Sequence, residues 1–220
     1  MMATTTAADD AAPRRRNPRG EGDRLRTDLL DAATALMAEH GTIDGISLRA
    51  VARRAGVSPT AVYRHFDDHL SLLQESVARC WQKFYDVMAA ARDSSPDPFE
   101  AFHAAGIAYI DFAMNHQGEY RVLFSNRIQL DMAGHELANT VHARDGVIDP
   151  GISAFEVLVG LVAAILERRD DSRDSFFVAV QVHTWIHGIV DLIGCHPDVP
   201  WPDTNTMLDG LSSALDLDER

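Results

Sequence analysis

The chain has 220 residues, 46% of them hydrophobic, which is enough to bury a sizeable core in one domain or two. Its 33 acidic and 20 basic residues give a formal charge of −13, and its two cysteines, Cys80 and Cys195, lack CxxC spacing. This composition argues against a disulfide scaffold or a zinc ribbon and favours a reduced, cytoplasmic compartment. The longest apolar run, residues 157–166, is about half of what a bilayer requires, so we expect no membrane segment.

Charge is unevenly distributed along the chain. Residues 1–66 hold ten basic and eight acidic side chains, whereas residues 67–220 hold ten basic and 25 acidic ones. Within 47–66, SLRAVARRAGVSPTAVYRHF, there are four arginines and no Asp or Glu. Because phosphates would repel a carboxylate on a docking face, this acid-free stretch indicates contact with DNA despite the acidic total.

The first twenty residues contain Ala, Thr, Asp, Arg and Pro with almost no bulky apolar side chain. Such a segment cannot bury enough surface to pack, so we predict a disordered basic arm over 1–20. Its run PRRRNPRG (13–20) is interpreted either as a solubilising tail or as an arm that reaches DNA. No apolar run precedes a small-residue cleavage site, so no secretory signal is expected.

The next segment predicts three short helices. Apolar residues recur at three- and four-residue spacing from Arg24, and the first helix ends at Gly41. Ser47 is a cap for a second helix, and Gly56 suits a left-handed reversal. Ser58 followed by proline starts a third helix. Two short helices joined by a tight glycine-containing turn predict a helix-turn-helix.

The third predicted helix has two faces. Val62 and Phe66 point inward, whereas Thr60, Tyr63 and Arg64 share an outward face at i, i+3 and i+4. No packing role is apparent for the outward face, so it is the candidate recognition surface.

The remainder of the chain is predicted to be helical, without a convincing strand, which indicates an all-α fold. Further helices are expected over 68–92, 99–116, 119–126, 152–169, 175–194 and 203–215, whereas residues 131–150 show weak periodicity. Residues 152–169 and 175–194 are apolar nearly all round, as in buried or interface helices.

Three blocks, LLDAATALMAEHG (29–41), SLRAVARRAGVSPTAVYRHF (47–66) and DDHLSLL (67–73), resemble the TetR family of bacterial transcription regulators. The resemblance implies an N-terminal helix-turn-helix DNA-binding domain at 21–69 and a larger helical effector-binding and dimerisation domain at 70–220. It also implies a homodimer paired through helices at about 153–169 and 175–194. Such a dimer would act as a repressor on a palindromic double-stranded operator and be released by a small-molecule effector.

The resemblance and the second-helix arginines together assign the DNA contacts. The predicted set is Ser47, Arg49, Ser58, Thr60, Tyr63, Arg64, His65 and His69. Arg64 stands where the family commonly has an aromatic residue and adds a possible bidentate contact to guanine. His69 stands where a lysine is frequent, and a neutral imidazole is a weaker phosphate partner.

Aromatic residues of the second domain are most simply core, but an effector cavity would be lined by the same residue types with a few polar groups. The predicted pocket set is Trp81, Phe102, Tyr109, Phe112, Phe124, Phe155, Gln181 and His183.

Three polar residues, His183, His187 and Asp191, are spaced i, i+4, i+8 along one predicted helix. They are interpreted as the lining of a dimer seam or cavity in preference to a metal site, because a site needs further ligands and HTWIH lacks the glutamate of HExxH. No catalytic motif is found, so no enzyme activity, metal or cofactor is expected. Two alternatives stay open: a metal-binding or enzymatic helical body with an accessory DNA-binding head, and a chromosome-organising protein.

Overall fold

The computed structural model describes residues 21–124 and 150–218, and these ranges contain helices and no strand, which confirms the all-α prediction. The helices are α1 (Glu21–His40), α2 (Leu48–Arg54), α3 (Pro59–Val62), α4 (His69–Arg92), α5 (Pro98–Asn115), α6 (Gln117–Phe124), α7 (Pro150–Arg168), α8 (Ser175–Cys195) and α9 (Thr204–Ala214). The predicted arm at 1–20 and the segment at 131–149 lie outside the described residues.

Aspartates begin several of these helices by accepting hydrogen bonds from free backbone N–H groups. Asp68 forms a capping box with Ser71 at the start of α4, and Asp97, Asp174 and Asp203 cap α5, α8 and α9. These caps are readable in the sequence, which explains why the predicted helix starts agree with the structure within a few residues.

The N-terminal helices form a small head around their own core. Its buried members include Leu29, Ala33, Met37, Val51, Val62, Phe66 and Leu72. Gly56 joins α2 to α3 with a φ of +70°, so the predicted left-handed reversal is confirmed. The three helices hold the helix-turn-helix arrangement expected from the sequence.

The third helix differs from the expectation in two details. It is α-helical only over Pro59–Val62, and the backbone then continues in tighter turns, with His65 N–H donating to the Val62 carbonyl at 2.9 Å. Ser58 stands at the N-cap, but its side chain makes no capping bond. The Ala61 N–H is instead taken by the Ser58 main-chain carbonyl at 2.9 Å.

Helices α4 to α9 build a larger body around a second core. Its members include Phe84, Met88, Phe102, Tyr109, Leu161, Ile165, Val182 and Leu208. Helix α4 serves both cores, because Leu72 and Val77 lie in the head whereas Cys80 and Phe84 lie in the body. The predicted domain boundary after residue 69 therefore falls at the start of a helix that head and body share.

Helix α6 is the second element that joins the two cores. Val122 is fully buried in the head core, whereas Tyr120 and Leu123 on the same helix are buried in the body core. The backbones of α6 and α1 meet at Gly118, where an added Cβ would lie 1.7 Å from the Ala38 carbonyl oxygen. Only glycine permits this approach.

Helix α8 leaves apolar side chains outside the fold. Phe176, Phe177, Val180, Trp185 and Leu192 are exposed, with 62% of Phe177 and 41% of Trp185 accessible. Within the described ranges α8 is the one helix whose length and composition would allow it to cross a membrane, although about 33% of that window is buried in the fold. No uninterrupted apolar run marks this helix in the sequence, because Gln181, His183 and other polar residues interrupt it.

Candidate nucleic-acid interface and ligand cavity

The outward face of the third helix is built as the sequence predicts. Val62 and Phe66 are buried beneath it, and Thr60, Tyr63 and Arg64 are exposed, with 61% of Tyr63 accessible. The Tyr63 hydroxyl and the Arg64 guanidinium make no hydrogen bond or ion pair within residues 21–124 and 150–218. Both side chains are therefore free to meet a ligand.

The second helix presents further donors beside this face. The Ser47 hydroxyl oxygen accepts the Ala50 N–H at 3.2 Å, which leaves the hydroxyl hydrogen for another acceptor such as a phosphate. Arg49 is exposed and unpaired among the described residues, whereas Arg54 is paired with Glu39 at 2.7 Å. The Arg54 guanidinium is therefore held against α1, whereas those of Arg49 and the equally exposed Arg53 are free to meet a ligand.

The two candidate histidines are less free. His69 Nε2 lies 2.6 Å from the Ile46 carbonyl oxygen, so this nitrogen donates and ties the start of α4 to the residue before the Ser47 cap. With Nε2 engaged in this contact, Nδ1 is the ring nitrogen left to meet a phosphate. His65 is half-buried, with its ring near the start of α1 at Gly22.

A half-open cavity of about 410 Å³ lies between the head and the body. It is bounded by the end of α1 at Gly41 and by side chains of α5, α6 and α8. Its lining includes Met114, Tyr120, Arg121, Phe124, His187, Val190 and Asp191. A ligand here would touch both the helix that ends in the head and the helices of the body.

The polar wall of the cavity is a hydrogen-bonded group of two tyrosines and a histidine. Tyr120 Oη lies 2.6 Å from His187 Nδ1, and Tyr109 Oη lies 3.0 Å from His187 Nε2. The His183 ring packs on His187 with centroids 4.4 Å apart, and Phe124 packs on His187 at 4.5 Å. Each polar atom of His187 is thus satisfied by a phenol.

Burial keeps this group uncharged near neutral pH. Desolvation, together with the smaller effect of the neighbouring His187, lowers the pKa of His183 to about 4. Desolvation also lowers the pKa of His187, against the opposing field of Asp191, and raises the pKa of Tyr109 and of Tyr120. The wall is therefore a neutral hydrogen-bonding surface with one carboxylate beside it.

The predicted pocket residues fall into three groups. Phe124 lines the cavity. Trp81, Tyr109, Phe155 and His183 pack in the aromatic cluster behind it. The other three predicted residues do not border the cavity.

Phe102 and Phe112 are buried in the body core, so they support the fold without facing the cavity. Gln181 is exposed, because it lies two positions, or roughly 200°, around α8 from His183. Its placement in the pocket set was wrong for this reason.

The cavity residues absent from the predicted pocket set include the three polar ones Tyr120, His187 and Asp191. The i, i+4, i+8 spacing of His183, His187 and Asp191 did indicate a polar lining. Tyr120 gave no comparable signal, because its partner His187 is 67 residues away in the sequence.

The arrangement offers little to a metal ion. Within residues 21–124 and 150–218 no three His, Cys, Asp or Glu side chains are grouped as ligands. Coordination by His187 would also require one of its two tyrosine bonds to break. The metal-binding alternative therefore gains no support from the described part of the chain.

Two family models match the chain. One, described as "Bacterial regulatory proteins, tetR family", matches residues 29–75, and the other, "Tetracyclin repressor-like, C-terminal domain", matches residues 102–196. The first covers the helix-turn-helix, and the second covers α5, α6, α7 and α8 with the cavity wall.

A curated relative from Haemophilus influenzae, an uncharacterized HTH-type transcriptional regulator, is 30% identical over 101 residues. The match spans 46% of this chain and about half, 49%, of that relative.

Solved structures share the fold over nearly the whole chain. A TetR-family transcriptional regulator from Mesorhizobium loti superposes with a TM-score of 0.66 at 17% identity, covering 90% of this chain and 97% of that one. The fatty acid degradation regulator FadR from Bacillus halodurans gives a TM-score of 0.64 at 15% identity, covering 92% and 96%. Together with the two family models, which cover both the head and the body, these observations establish that the chain belongs to the TetR family of bacterial regulatory proteins.

Proposed function

We propose that this protein is a transcriptional repressor of the cytoplasm that binds a palindromic operator as a homodimer and is released by a small-molecule effector. The observation that carries the proposal is the exposed, acid-free face of Thr60, Tyr63 and Arg64 on a buried helix-turn-helix scaffold. In a helix-turn-helix, an exposed face of this kind is the part that enters the major groove.

On DNA, the residues of this face would make two kinds of contact, with base edges and with phosphates. Arg64 suits a bidentate contact with a guanine edge, and Tyr63 suits a phosphate oxygen through its hydroxyl. Ser47 and Arg49 add phosphate contacts from the second helix. His69 is hydrogen-bonded to the Ile46 carbonyl, so it would act by fixing the position of the neighbouring Ser47, the N-cap of α2.

Dimerisation would bury the apolar surface of α8. Exposed aromatic residues such as Phe177 and Trp185 are costly in water, and a two-fold seam formed by α7 and α8 would cover them. A two-fold protein requires two operator half-sites related by the same symmetry.

Release would follow from linkage between the cavity and the head. Helix α6 contributes Tyr120 and Phe124 to the cavity and Val122 to the head core. An effector that prefers one position of α6 would therefore change the placement of the heads. By linkage, the effector would weaken DNA binding by the same factor by which bound DNA weakens effector binding.

The proposal is tested by selecting bound duplexes from a random pool with the full-length protein. We expect one palindrome with half-site centres about one helical turn, or a multiple of it, apart. Enrichment of many weak, unrelated sequences would instead support a chromosome-organising protein.

Two substitutions then test the recognition face on the selected palindrome in gel shifts at physiological salt. Arg64→Ala should lose about 1–3 kcal/mol on the palindrome and discriminate less among its variants. Tyr63→Phe should lose about 0.5–1.5 kcal/mol on all sequences alike. Arg92→Ala, at the far end of α4, is the control and should bind as wild type; equal binding by all three variants would refute the face.

A further inference from the structure

The hydrogen-bond directions on the cavity wall can be assigned from the distances. The 2.6 Å contact between Tyr120 and His187 Nδ1 is shorter than N–H···O bonds usually are but normal for an O–H donor. The 3.0 Å contact between His187 Nε2 and Tyr109 is typical of an N–H donor. These distances favour the tautomer in which Tyr120 donates to the imidazole. The Tyr120 oxygen also takes part in a hydrogen bond with Tyr109, and its remaining lone pair can accept from a ligand.

A carboxylate lies on the same wall. Asp191 is four residues after His187 on α8, borders the cavity, and makes no ion pair with any residue of 21–124 or 150–218. It is close enough to Tyr120 and His187 to influence the pKa of each. Both polar groups that face the cavity from this side thus accept hydrogen bonds.

The one cationic residue of the lining, Arg121, lies at the end of the cavity that α1 forms. The side chain of Arg121 crosses the end of α1, where a Cβ added at Gly41 would lie 3.2 Å from Arg121 Cδ and 3.8 Å from its terminal nitrogen. The end of a helix carries free carbonyls and a partial negative charge. The Arg121 side chain therefore lies near that end of α1, and no ion pair joins it to Asp191 in the described residues.

The remaining walls suit an apolar or aromatic body. The rings of Tyr120 and Phe124 border the cavity, with Met114 and Val190 alongside. Aromatic faces attract cations as well as apolar groups. The excess of acidic residues after position 66, 25 against ten basic ones, adds a field that draws cations toward the body.

We propose that this cavity binds a protonated organic amine with an aromatic or alkyl body, its ammonium group donating to the Asp191 carboxylate and the Tyr120 hydroxyl oxygen. The inference rests on the proposed function, since it names the class of effector for the same site. The buried imidazoles are uncharged and do not repel such a ligand. An anionic ligand would meet the Asp191 carboxylate on this wall and would find its cationic partner only in Arg121, beside the end of α1.

The test uses three probes that share a naphthyl body: naphthylethylamine, naphthylethanol and naphthylpropanoate. Binding to the full-length wild-type protein without DNA is measured at pH 7 by ligand-detected NMR titration. We expect the amine to bind at least tenfold more tightly than the alcohol and the carboxylate to show no saturation. Equal binding by the alcohol, or tighter binding by the carboxylate, would overturn the inference.

Asp191→Asn supplies the decisive variant, because it keeps the shape of an exposed side chain and removes the charge. The amine should bind at least tenfold more weakly to this variant, and the alcohol should be unaffected. Asp198→Asn, on the loop after α8, is the matched control and should bind the amine within twofold of wild type. Unchanged amine binding by Asp191→Asn would place the amine elsewhere and reject the site.

The outcomes separate this inference from the proposed function. A protein that selects a palindrome but does not prefer the amine retains the function and loses the inference. A protein that shows Asp191-dependent amine binding but selects no duplex loses the function, because the amine titration does not involve DNA.

Discussion

His183 is held uncharged among aromatic rings, and its position makes the fold sensitive to acid. Its ring packs on His187 at 4.4 Å, on Phe155 at 5.5 Å and on Tyr109 at 5.9 Å. With a pKa of about 4 in the folded protein and 6.5 otherwise, the unfolded chain binds more protons between these values. Folding stability from this residue is therefore complete above pH 6.5 and is lost as the pH falls toward 4.

We expect His183→Gln to reduce the acid sensitivity of folding. Between pH 7 and pH 5 the wild type should lose on the order of 2 kcal/mol more free energy of unfolding than this variant. Urea denaturation at fixed protein concentration at the two pH values measures the difference. His196→Gln, which changes an exposed histidine, should keep the wild-type loss, and a wild-type loss in His183→Gln would show that His183 ionises freely in the fold.

Helix α6 has only eight residues, yet some of its side chains pack in the head core and others in the body core. The Gly118 backbone lies against the Ala38 carbonyl on α1, and Tyr120 lies against His187 on α8. A shift of the cavity wall would therefore move α6, which also packs in the head core. The close approach at Gly118 sets the distance between α6 and α1.

Gly118→Ala should separate these two helices. The new methyl group would overlap the Ala38 carbonyl at 1.7 Å, so we expect a loss of about 1–3 kcal/mol in the free energy of unfolding. Affinity for the selected palindrome should change with it, because the head must shift. Gly210→Ala is the matched control, since nothing lies within 4 Å of that position, and replacing a helical glycine there should stabilise by about 0.5–1 kcal/mol. Equal stability of both variants would contradict the role of Gly118.

At the scale of helices, local features can be predicted from the sequence, whereas contacts between distant residues cannot. Local signals, such as the Ser47 cap and the proline at the start of α3, predict helix starts because they act within one turn. The helical spacing also placed Val62 inward and Tyr63 outward correctly. Gln181 was misplaced because α8 is apolar on most of its circumference, so the spacing does not tell which side faces the cavity. Contacts such as Tyr109 with His187, 78 residues apart, depend on tertiary packing that no local pattern encodes.

At the scale of the whole molecule, most of the exposed large apolar side chains in the described ranges lie on the outer side of α8. A charge placed there should prevent burial against a second copy, so we expect Phe177→Glu to be monomeric where wild type is a dimer. Light scattering coupled to size-exclusion chromatography should give twice the chain mass of 24.2 kDa for wild type and 24.2 kDa for the variant. Val199→Glu alters an exposed apolar residue on the loop after α8 and should remain dimeric. A wild-type mass of 24.2 kDa at micromolar concentration would reject the proposed seam.

Val122 completes the head core although it belongs to α6, more than forty residues beyond the helix-turn-helix. A head domain that lacks Val122 would have a cavity of the size of a valine side chain in its core. Recombination between relatives that exchanges the DNA-reading segment alone should therefore produce unstable hybrids. The smallest unit that evolution, or an engineer, can transplant from this protein is the head together with α4 and α6.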